Sequence, residues 1–137
     1  MEEHILVGLS SAPSNARIIR TAATMAAAFG CKFTALFVRT PGYDAMSEEN
    51  KERLRTNTEL AKSLGATVET VFGDDVSYQI AEYARLSGVT KIVVGRSAAT
   101  RKHPWGKPTL TEKLTVIAPN LDIHIIPDAS VDGSYKP

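Results

Sequence analysis

Five short apolar runs, spaced so that most pairs enclose a stretch of helical periodicity, constrain this chain more than any other feature. They are residues 4–10 (His4-Ile5-Leu6-Val7-Gly8-Leu9-Ser10), 32–38, 66–72, 91–94 and 122–126. The first and fourth show no polar–apolar alternation, as strands buried on both faces require. The third, Ala66-Thr67-Val68-Glu69-Thr70-Val71-Phe72, does alternate and reads as an edge or half-exposed strand. Parallel strands joined through helices of ten residues or more form right-handed βαβ units. The predicted fold class is therefore α/β, a doubly wound, five-stranded parallel sheet with helices on both faces.

Local signals place the helices. Ser14 or Asn15 caps a first helix whose apolar residues Ile18, Ile19, Ala22, Met25, Ala26 and Phe29 recur at helical spacing, and Gly30 closes it. Ser47 caps a second helix running to Leu64, with a sparse stripe of Leu54, Leu60, Ala61 and Leu64 and a long solvated face. Asp74 and Asp75 are cap candidates for a third, over Val76, Ile80, Ala81, Tyr83 and Ala84, which Gly88 stops. A fourth covers Leu110 to Ile117. Residues 39–46, with the breaker pair Pro41-Gly42, lack periodicity and are expected to be mobile. Residues 1–128 are expected to form one domain, and 129–137 a flexible tail or the start of a linker to a larger parent chain.

In a doubly wound sheet, ligands bind beyond the carboxyl ends of the strands where strand order reverses. Two polar loops follow such ends. One is Ser10-Ser11-Ala12-Pro13-Ser14-Asn15. The other, residues 95–109, carries Arg96, Arg101, Lys102 and Lys107 and no acid, with Gly95, Ser97 and Thr109 placed to offer backbone N–H groups and hydroxyls to an anion. His103 and Trp105 lie in the same loop, His103 as a phosphate neighbour and Trp105 as a packing or stacking ring. If strands one and four are neighbours, both loops open on one crevice, and nucleotide binding is the leading inference.

Other uses of this architecture need residues that are missing. A phosphoacceptor receiver wants acids after strand one, where Leu9-Ser10-Ser11 stands. Residues 10–15 contain neither Gly nor Lys, which excludes a Walker A loop, and they match neither a Gly-x-Gly-x-x-Gly nor an adenylylating Ser-Gly-Gly-x-Asp-Ser pattern. His4, His103 and His124 show no metal-ligand spacing, and neither Ser10 nor Ser97 has an identifiable base and orienting acid. No catalytic residue, no metal and no required cofactor are expected. A net charge of +1 gives no support for nucleic-acid or membrane binding by the whole surface. The single cysteine, Cys31, reads as a small buried hydrophobe, and no signal peptide or membrane span is visible, so a cytoplasmic setting is expected.

Ile5 to Arg20, Phe33-Thr34-Ala35-Leu36-Phe37-Val38, Gly73-Asp74-Asp75-Val76, Ile80 to Ala84, Gly88 to Ser97 and Ala118 to Pro127 resemble the universal-stress-protein domain of KdpD-type potassium-sensing histidine kinases, over residues 3 to 128. The resemblance implies strand order 3-2-1-4-5 and a cytoplasmic sensory module of a membrane-anchored two-component kinase that governs potassium transport. Phosphotransfer would then lie in other domains of the parent. Some members of that family bind cyclic di-AMP through a Ser-x-Ser element after strand one and a Phe-Thr-Ala-x-Tyr element on strand two. Here these read Ser10-Ser11-Ala12 and Phe33-Thr34-Ala35-Leu36-Phe37, each short of one hydroxyl, a difference of about 1 kcal/mol apiece. The ATP-binding universal stress proteins carry an Asp after strand one and Gly-x-x-Gly, nine residues, Gly-Ser/Thr after strand four. Gly95 and Thr109 match that pattern, whereas Ser10, Ala98 and Pro108 depart from it.

The resemblance and the loops together assign ligand contacts to Ser10, Ser11, Phe33, Thr34, Ala35, Phe37, Gly95, Arg96, Ser97, Arg101 and Thr109. Cyclic di-AMP is the expected ligand, ahead of ATP. The alternative is a docking domain with a degenerate pocket, in which the basic loop and Trp105 meet another universal stress protein, a second copy, or the parent kinase's own domains.

Overall fold

The computed structural model describes residues 2–96, 106 and 108–127. Strands β1 (His4–Gly8), β2 (Lys32–Arg39), β3 (Thr67–Phe72), β4 (Lys91–Gly95) and β5 (Asp122–Ile126) form one parallel sheet in the order β3-β2-β1-β4-β5. This is the expected order, and it makes β1 and β4 neighbours where the winding reverses.

Helices α1 (Asn15–Phe29) and α2 (Glu48–Ser63) cover one face, and α3 (Val76–Ser87) and α4 (Leu110–Ile117) the other. The pleat divides the central strands accordingly. Ile5 and Val7 pack with Ile18, Ile19, Ala22, Phe33, Ala35, Leu54, Ala61 and Val93 on the first face. Leu6 and Ile92 pack with Leu36, Ile80, Ala84, Val94 and Leu114 on the second. Edge strand β3 is at most half-buried, in keeping with its alternation.

The helix boundaries follow their local signals. Gly30 and Gly88 adopt left-handed backbone, φ 61° and 71°, and return their N–H groups to the preceding turn. Ser47 and Asp75 accept from the backbone N–H groups of Asn50 and Tyr78. Several sequence expectations change. β1 ends at Gly8 rather than Ser10, because Asn15 takes the Gly8 carbonyl out of the ladder. Within residues 39–46, read as lacking regular structure, β2 continues to Arg39 and Pro41–Ala45 forms a 3-10 turn, with an edge-on contact of Phe37 with Tyr43 and the Arg39 guanidinium 4.0 Å from the Tyr43 ring centre. Phe29, Leu64 and Val76, read as core positions, are 51%, 40% and 39% exposed, because each lies at or just past a helix end that overhangs the sheet. Cys31 is half-buried rather than enclosed. No helix among the described residues is long and apolar enough to cross a membrane.

Candidate functional site

A cavity of about 1000 Å³ opens at the carboxyl ends of β1 and β4, where the reversal was expected to place a site. Its floor is Gly8, Leu9 and Ile92 to Gly95. Residues 10–15 form one wall, Asn50 and Arg53 of α2 extend it, and Asp74 to Ser77 with Pro108, Leu110 and Lys113 close the opposite side.

The loop after β1 is held by side chains that come from far away. Asn15 is buried and uses its amide twice: Nδ2 donates to the Gly8 carbonyl at 2.9 Å, and Oδ1 accepts from the Ser10 N–H at 3.1 Å. Ser10 Oγ accepts from the Ala12 N–H at 3.2 Å, a local turn bond. Asn57, buried on α2, donates to the Ser10 carbonyl at 2.9 Å, and Arg53 Nη1 donates to the Ser11 carbonyl at 3.0 Å and to Asn50 Oδ1 at 3.1 Å. Ser14 is the N-cap residue of α1 but its hydroxyl makes no cap bond, and the first turn holds no acid. The electropositive end of α1 therefore lies at the cavity wall without a built-in counter-charge.

On the other side, Asp75 accepts from Ser77 Oγ at 2.7 Å and from the Tyr78 N–H at 3.2 Å. These bonds, the Ser77 hydroxyl foremost, hold its carboxyl below the ordinary value of 3.8, with a smaller pull from Lys113. Lys113 Nζ stands 3.9 Å from Asp75 Oδ1. Thr109 begins α4 with a capping box, its hydroxyl accepting from the Glu112 N–H at 3.1 Å while its own N–H donates to Glu112 Oε1 at 2.7 Å.

Of the residues assigned from sequence, Ser10, Ser11 and Gly95 line this cavity. Arg96 follows Gly95 and is exposed, and Thr109 sits between the lining residues Pro108 and Leu110 with its polar groups committed to the cap. Phe33, Thr34, Ala35 and Phe37 are not brought to the cavity. Phe33, Ala35 and Phe37 belong to the core beneath α1 and α2, and Thr34 faces the other way and meets His4 Nε2 at 2.8 Å. Ser97 and Arg101, like Lys102, His103, Trp105 and Lys107, lie outside the described residues. Asn15, Arg53, Asn57 and Lys113 were missed. Only Asn15, itself a predicted cap candidate, carried a local signal; the other three look like solvated helix positions until the fold aims them. His124 lies half-buried on β5 with Nε2 unpartnered among the described residues.

No protein-family model matches the chain. It is 36% identical over 137 residues to the KdpD sensor protein of Clostridium acetobutylicum and 30% identical over 118 residues to that of Escherichia coli, matches that cover 98% and 86% of this chain. A universal stress protein solved in complex with cAMP superposes with a TM-score of 0.70 at 20% identity, covering 93% of this chain and 98% of that one. The chain matches the KdpD sensor proteins in sequence and the universal stress proteins in fold. Two further structures share the fold. A universal-stress-family protein from Burkholderia pseudomallei gives a TM-score of 0.64 at 22% identity, covering 91% and 96% of the two chains, and an Archaeoglobus fulgidus universal stress protein in complex with dAMP gives 0.59 at 20%, covering 90% and 97%. The chain spans 15% and 13% of the lengths of the two sensor proteins.

Proposed function

We propose that this KdpD-like domain is the nucleotide-sensing part of a sensor histidine kinase that controls potassium transport, and that its ligand is cyclic di-AMP. The observation that carries the reading is the cavity itself. It lies at the β1/β4 reversal, has about 1000 Å³ available, and places Ser10, Ser11, Gly95, Arg53 and Lys113 around one space beside the end of α1. That volume is at the upper end for small-molecule sites and suits a dinucleotide. Two structural relatives were solved with adenine mononucleotides, cAMP and dAMP, which supports an adenine nucleotide in this fold.

In this reading Ser10 and Ser11 contact the ligand from one wall, Gly95 allows close approach of its backbone, and Arg96, Ser97, Arg101 and Thr109 belong to the phosphate side. Phe33, Ala35 and Phe37 support the floor from the core. The domain performs no chemistry of its own, works on the cytoplasmic side of a membrane-anchored parent, and passes its state to that parent's other domains or to a second copy.

Calorimetric titration with cyclic di-AMP, against ATP and cyclic di-GMP, tests the proposal. Saturable binding of cyclic di-AMP, weakened about fivefold by Ser11→Ala and by Arg96→Ala, is expected from loss of roughly one hydrogen bond each. No heat and no competition by any of the three nucleotides would overturn it and leave the basic loop as a protein-docking surface.

A further inference from the structure

Lys113 and Asp75, both lining the cavity, form a contact between charged side chains of α4 and the N-cap of α3, and its two ends are unequal. We propose that Lys113 is the group that reports occupancy: an anionic group in the cavity draws its ammonium away from Asp75 and so unlatches α4 from the N-cap of α3. The inference rests on the nucleotide reading above and adds to it a binding residue and a route out of the site.

Asp75 does not depend on Lys113. Its carboxylate already has the Ser77 hydroxyl at 2.7 Å and the Tyr78 N–H at 3.2 Å, whereas the ammonium stands off at 3.9 Å. Removing Lys113 from the pair therefore leaves no orphaned charge on α3. Lys113, by contrast, has Asp75 as its single ionic partner among the described residues, and its side chain is 38% exposed. It also sits in the opening turns of α4, where the helix dipole disfavours a cation. A phosphate placed there pairs with the ammonium.

The cation on the facing wall is differently placed. Arg53 is engaged with the Ser11 carbonyl, with Asn50 and with Glu49, and moving it would release the loop it holds. Of the two cations that line the cavity among the described residues, the transfer thus falls to Lys113. Its consequence is mechanical, because α3 and α4 pack side by side through Ile80, Ala84 and Leu114 on one face of the sheet, and the Asp75–Lys113 contact joins them at the cavity end.

The competition has a signature that a structural role does not share. Asp75→Asn keeps an oxygen for the Tyr78 N–H and removes the charge that competes for Lys113. Titrations of the wild type, Lys113→Gln and Asp75→Asn with cyclic di-AMP and, separately, with inorganic pyrophosphate should show Lys113→Gln binding about tenfold more weakly, with a shallower salt dependence, and Asp75→Asn binding about threefold more tightly. Equal affinity of Lys113→Gln and wild type, or equal or weaker binding by Asp75→Asn, overturns the proposal. If the wild type takes pyrophosphate in a Lys113-dependent way but no nucleotide, the nucleotide reading fails and the Lys113 assignment stands. Binding of neither anion overturns both.

Discussion

Asn57 Nδ2 donates to the carbonyl oxygen of Ser10 across 2.9 Å, joining the middle of α2 to the loop that walls the cavity although 47 residues separate them. Asn57 is buried, so its amide cannot exchange this bond for a solvent one without cost. Asn57→Ala should therefore lower unfolding free energy by about 1–3 kcal/mol, and should also weaken nucleotide binding by loosening residues 10–12. Urea denaturation and calorimetry on the same sample check both effects, and unchanged stability would show that the bond contributes nothing net.

His4 is fully engaged at the opposite end of the sheet. The Ser87 carbonyl at 3.1 Å can only accept, so Nδ1 carries the proton and Nε2 accepts from the Thr34 hydroxyl at 2.8 Å. Thr34→Val keeps the shape and removes that donor. We expect a loss of about 1–3 kcal/mol in stability with nucleotide affinity unchanged. A loss of affinity without loss of stability would instead make Thr34 a ligand contact.

Leu114 is fully buried and fastens α4, the carrier of Lys113, against α3 and the sheet. Leu114→Ala should cost about 2–5 kcal/mol through lost burial and a residual cavity. The urea midpoint should fall with an unchanged slope, the sign of a destabilised native state rather than an altered unfolded one.

Asp75 gives the acid limb of stability a specific origin. Its carboxyl is held below 3.8 chiefly by the Ser77 hydroxyl and the Tyr78 N–H. A depressed carboxylate contributes stability that is fully present above the unfolded-state value and is lost as pH falls through the folded-state value. Asp75→Asn lacks this contribution, so the gap between wild-type and variant urea midpoints should be widest at neutral pH and should narrow as pH drops below about 4. A gap independent of pH would mean that the carboxylate's charge is not what stabilises the cap.

The boundaries of the fold were legible in the sequence because they rest on contacts within a few residues. Gly30 and Gly88 stop helices through their own left-handed backbone, and Ser47 and Asp75 start them by accepting from an N–H three residues on. The two central strands were legible because burial on both faces leaves no room for polar alternation, as Ile5-Leu6-Val7 and Ile92-Val93-Val94 show. The resemblance to KdpD-type domains carried the strand order, and the order placed Ser10, Ser11 and Gly95 on one cavity. It also marked Phe33, Thr34, Ala35 and Phe37 as ligand contacts; in the structure Phe33, Ala35 and Phe37 face the core and Thr34 meets His4.

By itself, then, the sequence determined the βα alternation, the helix ends, the burial of the central strands and the edge of the sheet on which a site would open. Only the tertiary structure decided which polar side chains reach that site. Asn57, Arg53 and Lys113 occupy helix positions that read as solvated; parallel crossovers bring α2 and α4 to the same carboxyl edge from opposite faces, so Arg53 and Lys113 line the cavity and Asn57 holds its wall at Ser10. The physical reason is range: a cap or a stop is settled by one turn of backbone, whereas the aim of a side chain across 42 or 47 residues depends on how the sheet and its helices pack.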